Sequence, residues 1–80
     1  MQNLKDRLFN LRVLIEYDSS YNVHVARCLE TGSVVTADDK ATIKSMITEL
    51  LEDEINFALE RGDLANLFST PASLEVWFRW

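Results

Sequence analysis

The sequence predicts an α+β domain: an antiparallel sheet of three to four strands with one long helix packed on one face, in the order βββα with a further strand after the helix as the fourth. Three observations predict it. Short alternating segments run from Leu11 to Thr36, an apolar stripe at helical spacing runs from about Lys40 to Arg61, and turn-forming residues separate the pieces. Eighty residues form one domain, 1–80, and 48% of them are apolar, enough for a single small core.

The first strand is read at Leu11–Tyr17. Leu11, Val13, Ile15 and Tyr17 share one face; Arg12, Leu14 and Glu16 share the other. Asp18, Ser19 and Ser20 supply side chains that bond their own backbone in a turn. A second strand follows at Tyr21–Leu29, with Tyr21, Val23 and Val25 on one face and Asn22, His24, Ala26 and Cys28 on the other. Glu30-Thr31-Gly32 breaks that run, and Ser33–Thr36 is the third strand, its Val34 and Val35 stiff at χ1. The face away from the helix is expected to carry Arg12, Glu16, Asn22 and His24, open to water or a partner.

Asp38 or Asp39 caps the helix, because a carboxylate there accepts a free first-turn N–H and suits the positive helix end. Ile43, Met46, Ile47, Leu50, Leu51, Ile55, Ala58 and Leu59 make the apolar stripe. At ~1.5 Å per residue the rod is about 30 Å long, enough to cross a small sheet. Gly62 stops it, Asp63 caps one further turn through Leu64, Leu67 and Phe68, and Pro71 ends that turn. Ser73–Trp80 reads two ways. A strand aligns Leu74, Val76, Phe78 and Trp80; a helix groups Leu74, Trp77 and Phe78. Alternation and aromatic content favour the strand. Asn3–Asn10 reads as a short helical lead-in through Leu4, Leu8 and Phe9.

Composition narrows the function. Lys plus Arg number 8 and Asp plus Glu 13, giving a net charge of −5. Nucleic acid and anionic membranes would repel such a chain, so neither is expected as a direct partner, whereas a basic protein would be drawn to it. A lone cysteine, Cys28, allows no internal disulfide, and no signal-peptide pattern opens the sequence, so the cytoplasm is the expected location. No phosphate-cradling Gly-rich loop or nucleophile elbow is present. His24 and Cys28 lie about 13 Å apart if both are on one strand, too far to pair as base and nucleophile. No catalytic residue, metal ligand or cofactor is assigned, and the chain reads as a non-enzyme.

Two features remain as candidate binding residues. Glu49, Glu52, Asp53 and Glu54 cluster on the helix, and Glu49, Glu52 and Asp53 would attract a cationic protein; Glu49 and Asp53, one turn apart, could alternatively hold a divalent cation for a hydrolase. Trp77 and Trp80 flank Phe78 in an aromatic tail that could close the core, anchor a partner or pair two copies of the chain.

Several segments in order resemble a known family. The second strand ends in Ala26-Arg27-Cys28-Leu29-Glu30, and Val35-Thr36-Ala37-Asp38-Asp39 leads into the helix. The helix continues into Ala58-Leu59-Glu60-Arg61-Gly62-Asp63, followed by Asn66-Leu67-Phe68, Pro71-Ala72 and Trp77. This order resembles stand-alone members of the HicB-like antitoxin family, over roughly Leu11 to Trp77. The resemblance implies a partial RNase-H-like unit of three strands, a helix and a fourth strand. It also implies an interaction module that binds and masks a small basic ribonuclease toxin of the HicA type. Ala37 stands where the family has Gly, and Asp39 replaces its capping Thr. No helix-turn-helix or ribbon-helix-helix module follows in these eighty residues, so the family's operator binding is not carried over. The alternative is a homo-oligomeric structural or regulatory domain without a toxin partner.

Overall fold

Ala26 and Cys28 are fully buried on the central strand, and their small side chains let a helix come close to the sheet. The computed structural model describes residues 11–80; the lead-in expected at Asn3–Asn10 lies outside them. Strands β1 (Val13–Asp18), β2 (Val23–Cys28) and β3 (Val34–Ala37) form an antiparallel sheet in the order β1-β2-β3. Ile15 pairs with Ala26, which pairs with Val35, and Val13 pairs with Cys28. This register gathers Val13, Ile15, Ala26, Cys28, Val35 and Ala37 on one face, against Ile43, Ile47 and Leu51 of helix α1 (Lys40–Arg61). Each fully buried Ile or Leu contributes about 1.5–3 kcal/mol relative to exposure.

The apolar stripe of α1 is narrower than its sequence suggests. Ile43, Ile47, Leu51, Ile55 and Ala58 are buried and Leu50 is half-buried, whereas Met46 and Leu59 are exposed on the flanks. Asp39 is the cap. Its carboxylate accepts the Thr42 N–H at 2.8 Å and the Thr42 hydroxyl at 2.5 Å, and these bonds hold its pKa below 3.8. Ala37, standing where the resembled family has Gly, is extended within β3 and needs no positive φ. At the far end Gly62 turns left-handed (φ 66°), and the Asp63 N–H donates to the Ala58 carbonyl at 2.9 Å.

The second strand starts at Val23, two residues later than expected. Asn22 takes a positive φ of 55°, the Asp18 carboxylate accepts the Ser20 N–H, and Tyr21 points into solvent. His24 is also misplaced by the sequence reading. It pairs in register with Tyr17 and Ala37, so it lies on the α1 side of the sheet, its ring edge-on to Tyr17 at 5.1 Å.

The tail is helical, which corrects the fourth strand. After the short helix α2 (Leu64–Leu67), Ser73 opens helix α3 (Leu74–Arg79), its carbonyl accepting from the Val76 and Trp77 N–H groups. Alternation was misleading because the apolar positions do not share one environment. Leu74, Phe78 and Trp80 are 73%, 86% and 59% exposed, while Val76 is only 7% exposed.

Helix α3 interacts with the sheet face opposite α1, so that face is not left open as the sequence suggested. Arg79 forms a two-pronged ion pair with Glu16 (2.9 and 3.1 Å), and the Arg12 guanidinium lies 5.5 Å from the Trp77 ring centre. The route to α3 is fixed at the β2–β3 turn. The Ala72 N–H donates to the Leu29 carbonyl at 3.0 Å, and the Thr70 carbonyl oxygen lies 2.3 Å from where a Cβ on Gly32 (φ 77°) would sit.

Gly32→Ala is therefore expected to cost roughly 2–4 kcal/mol, from left-handed strain plus a backbone clash. Gly62→Ala, with open space around it, should cost about 1 kcal/mol. Urea unfolding of the two variants checks the order. Asp39→Ala should lower the melting temperature at pH 7. Because the carboxyl pKa is depressed on folding, that deficit should be complete above pH 3.8 and fade as the pH falls below it, as thermal scans across acid pH would record.

Candidate protein-interaction surface

An α-helix advances about 100° per residue, so the side of α1 opposite Ile47, Leu51 and Ala58 carries Glu49, Asp53 and Glu60, with Glu52 beside them. All four are exposed. Between Glu49 and Arg61 the sequence holds five acids (Glu49, Glu52, Asp53, Glu54, Glu60) and one base (Arg61), a local charge of 1 − 5 = −4 out of the chain's −5. The ion pairs among the described residues join Arg12 to Glu30 and Arg79 to Glu16 and Glu75, so none neutralises this ridge. No group of three metal-ligating side chains converges among the described residues, and Glu49 and Asp53 form a charged surface without a third ligand.

The aromatic candidates lie elsewhere. Trp77 is half-buried, donates its indole N–H to the Ala72 carbonyl at 3.1 Å and meets Arg12, so it anchors α3. Trp80 is exposed at the end of α3, and Leu74 and Phe78, four residues apart, make a second exposed apolar strip. Since α1 and α3 engage opposite faces of the sheet, the structure does not bring Glu49, Glu52 and Asp53 together with Trp77 and Trp80.

Folding adds a feature that sequence reasoning missed. Gly62 turns the chain so that α2 lies beside the end of α1, and a cleft of about 230 Å³ opens between them. Phe57, Ala58 and Leu67 supply apolar wall; Glu54, Arg61, Asp63 and Asn66 supply polar groups. Glu54 is oriented from the sheet side. The Ser33 hydroxyl donates to its Oε1 at 2.6 Å, and Thr31 Oγ1 lies 2.8 Å behind Ser33 Oγ. Asp63 stands at the cap position of α2 without a side-chain cap bond. The Arg61 guanidinium lies 5.0 Å from the Phe57 ring centre and pairs with neither carboxylate. The one sequence feature at this place is Phe57, a large aromatic residue off the apolar stripe, and by itself it does not indicate a cleft.

No family model matches the chain, and neither a curated protein nor a solved structure matches it. The fold and surface together define an α+β domain with a concentrated acidic helix face. Among the described residues, no helix is long and apolar enough to cross a membrane.

Because Glu49, Glu52 and Asp53 make no ion pair among the described residues, the triple variant Glu49→Gln/Glu52→Gln/Asp53→Asn should keep or slightly raise the melting temperature by relieving like-charge repulsion. A thermal scan by circular dichroism checks this.

Proposed function

We propose that this chain is a cytoplasmic protein-interaction module whose acidic α1 ridge draws in a small basic protein, in the manner of a HicB-like antitoxin masking a ribonuclease of the HicA type. The observation carrying the reading is the set of four exposed carboxylates on the outer side of α1, Glu49, Glu52, Asp53 and Glu60, none of them in an ion pair among the described residues. Carboxylates without an ion pair among the described residues are available to a partner. A field of this sign accelerates encounter with a cationic surface and repels nucleic acid, so the expected mechanism is steering followed by steric masking. The motif order from Ala26 to Trp77 supports the antitoxin comparison.

A second reading, self-association, is favoured by Leu74, Phe78 and Trp80 standing in solvent and by the outer edges of β1 and β3. Co-expression with the product of the adjacent reading frame tests both. The first reading expects a small basic protein to co-purify at low salt, with an association rate that falls as salt rises and is about tenfold slower for the triple ridge variant. Failure to co-purify at low salt would count decisively against it. Light scattering on the chain alone addresses the second reading, which a strict monomer at high concentration removes.

A further inference from the structure

We infer that the cleft between the end of α1 and α2 is a socket for one long cationic side chain, a lysine or arginine presented by a basic partner protein. The inference rests on the interaction reading above and deepens it by naming where the partner is gripped.

The volume fits a single side chain. At ~30 Å³ per water, 230 Å³ holds about eight waters, room for an aliphatic stem and its head group but not for a folded segment. The chemistry of the lining is divided in the same way. Phe57, Ala58 and Leu67 offer apolar wall to a stem, as long basic side chains prefer when they cover apolar surface. Glu54 and Asp63 offer carboxylates to a head group. Glu54 is held in place through Ser33, so little ordering cost remains for it, and its Oε2 is not taken up by that bond. Asp63 makes no side-chain cap bond that a ligand would have to break.

Arg61 is the one base in this lining, and it sets the sign of the argument. Two carboxylates against one guanidinium leave the cleft at 1 − 2 = −1. The guanidinium is stacked against Phe57 and not bonded to either acid, so both acids keep their charge for an incoming cation. An anion would meet Arg61 favourably but both carboxylates unfavourably. By helical geometry Phe57 also borders the outer face that carries Asp53 and Glu60, so a partner drawn to the ridge arrives beside the socket.

The test is a ¹⁵N–¹H NMR titration of the whole chain. The probes are Nα-acetyl-lysine methylamide and Nα-acetyl-arginine methylamide, with the norleucine analogue as the uncharged control and acetate as the anionic one. Saturable shifts are expected at the amides of Phe57, Gly62, Asn66 and Leu67, with a Kd on the order of millimolar for so small a ligand. Asp63→Asn, which breaks no native bond described here, and Glu54→Gln, whose amide oxygen can still accept from Ser33, should each weaken binding about tenfold, equivalent to 1.4 kcal/mol. The triple ridge variant should bind the probes as the parent does. Equal shifts with norleucine, stronger shifts with acetate, or shifts confined to Glu49–Asp53 would overturn the socket. A partner that binds both cleft variants normally but the ridge variant poorly would also overturn it, while leaving the interaction reading intact. Probe binding in the cleft without any basic partner would do the opposite.

Discussion

The seam between α1 and the central strand sets the position of everything else. Ala26 and Cys28 on β2 have no room around them, and Ile43, Ile47 and Leu51 lie over that part of the sheet. A larger residue at either strand position would push the helix off the sheet, since interiors packed this closely tolerate added volume poorly. A smaller core residue on the helix would leave a cavity. Once the seam fixes the rotation of α1 about its axis, its opposite side must be polar. The acids that occupy it, Glu49, Asp53 and Glu60, are then aligned by the same periodicity that aligns the core.

Two backbone contacts then determine where the rest of the chain can go. The carbonyl of Leu29 holds the Ala72 N–H, and Gly32 admits the Thr70 carbonyl where any side chain would block it. The tail is therefore led past the β2–β3 turn and delivered to the sheet face that α1 does not cover. Only there can Arg79 reach Glu16, sixty-three residues earlier, and Trp77 meet Arg12. Next to the β2–β3 turn, whose Thr31 lines the space together with Thr70, the Gly62 turn folds α2 back and the cleft forms in the angle between two helices. Neither contact is strong alone. Their effect is geometric, because a carbonyl and an N–H accept few alternative partners once buried.

What could be read from the chain follows from this division. The helix from about Lys40 to Arg61 was legible, because a capping aspartate, the stripe and Gly62 are local signals that agree with one another, and the structure settles the cap on Asp39 rather than Asp38. The three strands were legible for the same reason, although Asn22 moved the start of β2 to Val23 by adopting a left-handed turn that propensity does not announce. The tail was not legible. Leu74, Val76, Phe78 and Trp80 alternate like a strand, but alternation identifies a buried face only when a face is buried, and here three of the four lie in solvent. Glu49, Glu52 and Asp53 were visible as a charged surface, since helix spacing alone puts them outside. The cleft was invisible, because Glu54, Asp63 and Asn66 meet only through the Gly62 turn, and their proximity is a property of tertiary path.

In the proposed reading, ridge and cleft act over different distances, and that difference makes them complementary. At physiological salt the Debye length is about 8 Å, so the four exposed acids of the ridge influence an approaching cation from roughly one side-chain length beyond contact, and act mainly on the rate of encounter. Exposed as they are, they would contribute little to holding a partner once it has docked. The cleft works in the reverse sense. Its net charge is small and reaches little into solvent, but its Glu54 is held by Ser33 and its apolar wall can lie along a bound stem. Preorganised groups in a sheltered site contribute to residence time where exposed charges cannot. A single helix, α1, carries both sets of residues: its outward line holds the acids proposed to supply the field, and its last two turns, beside α2, hold those proposed to supply the grip.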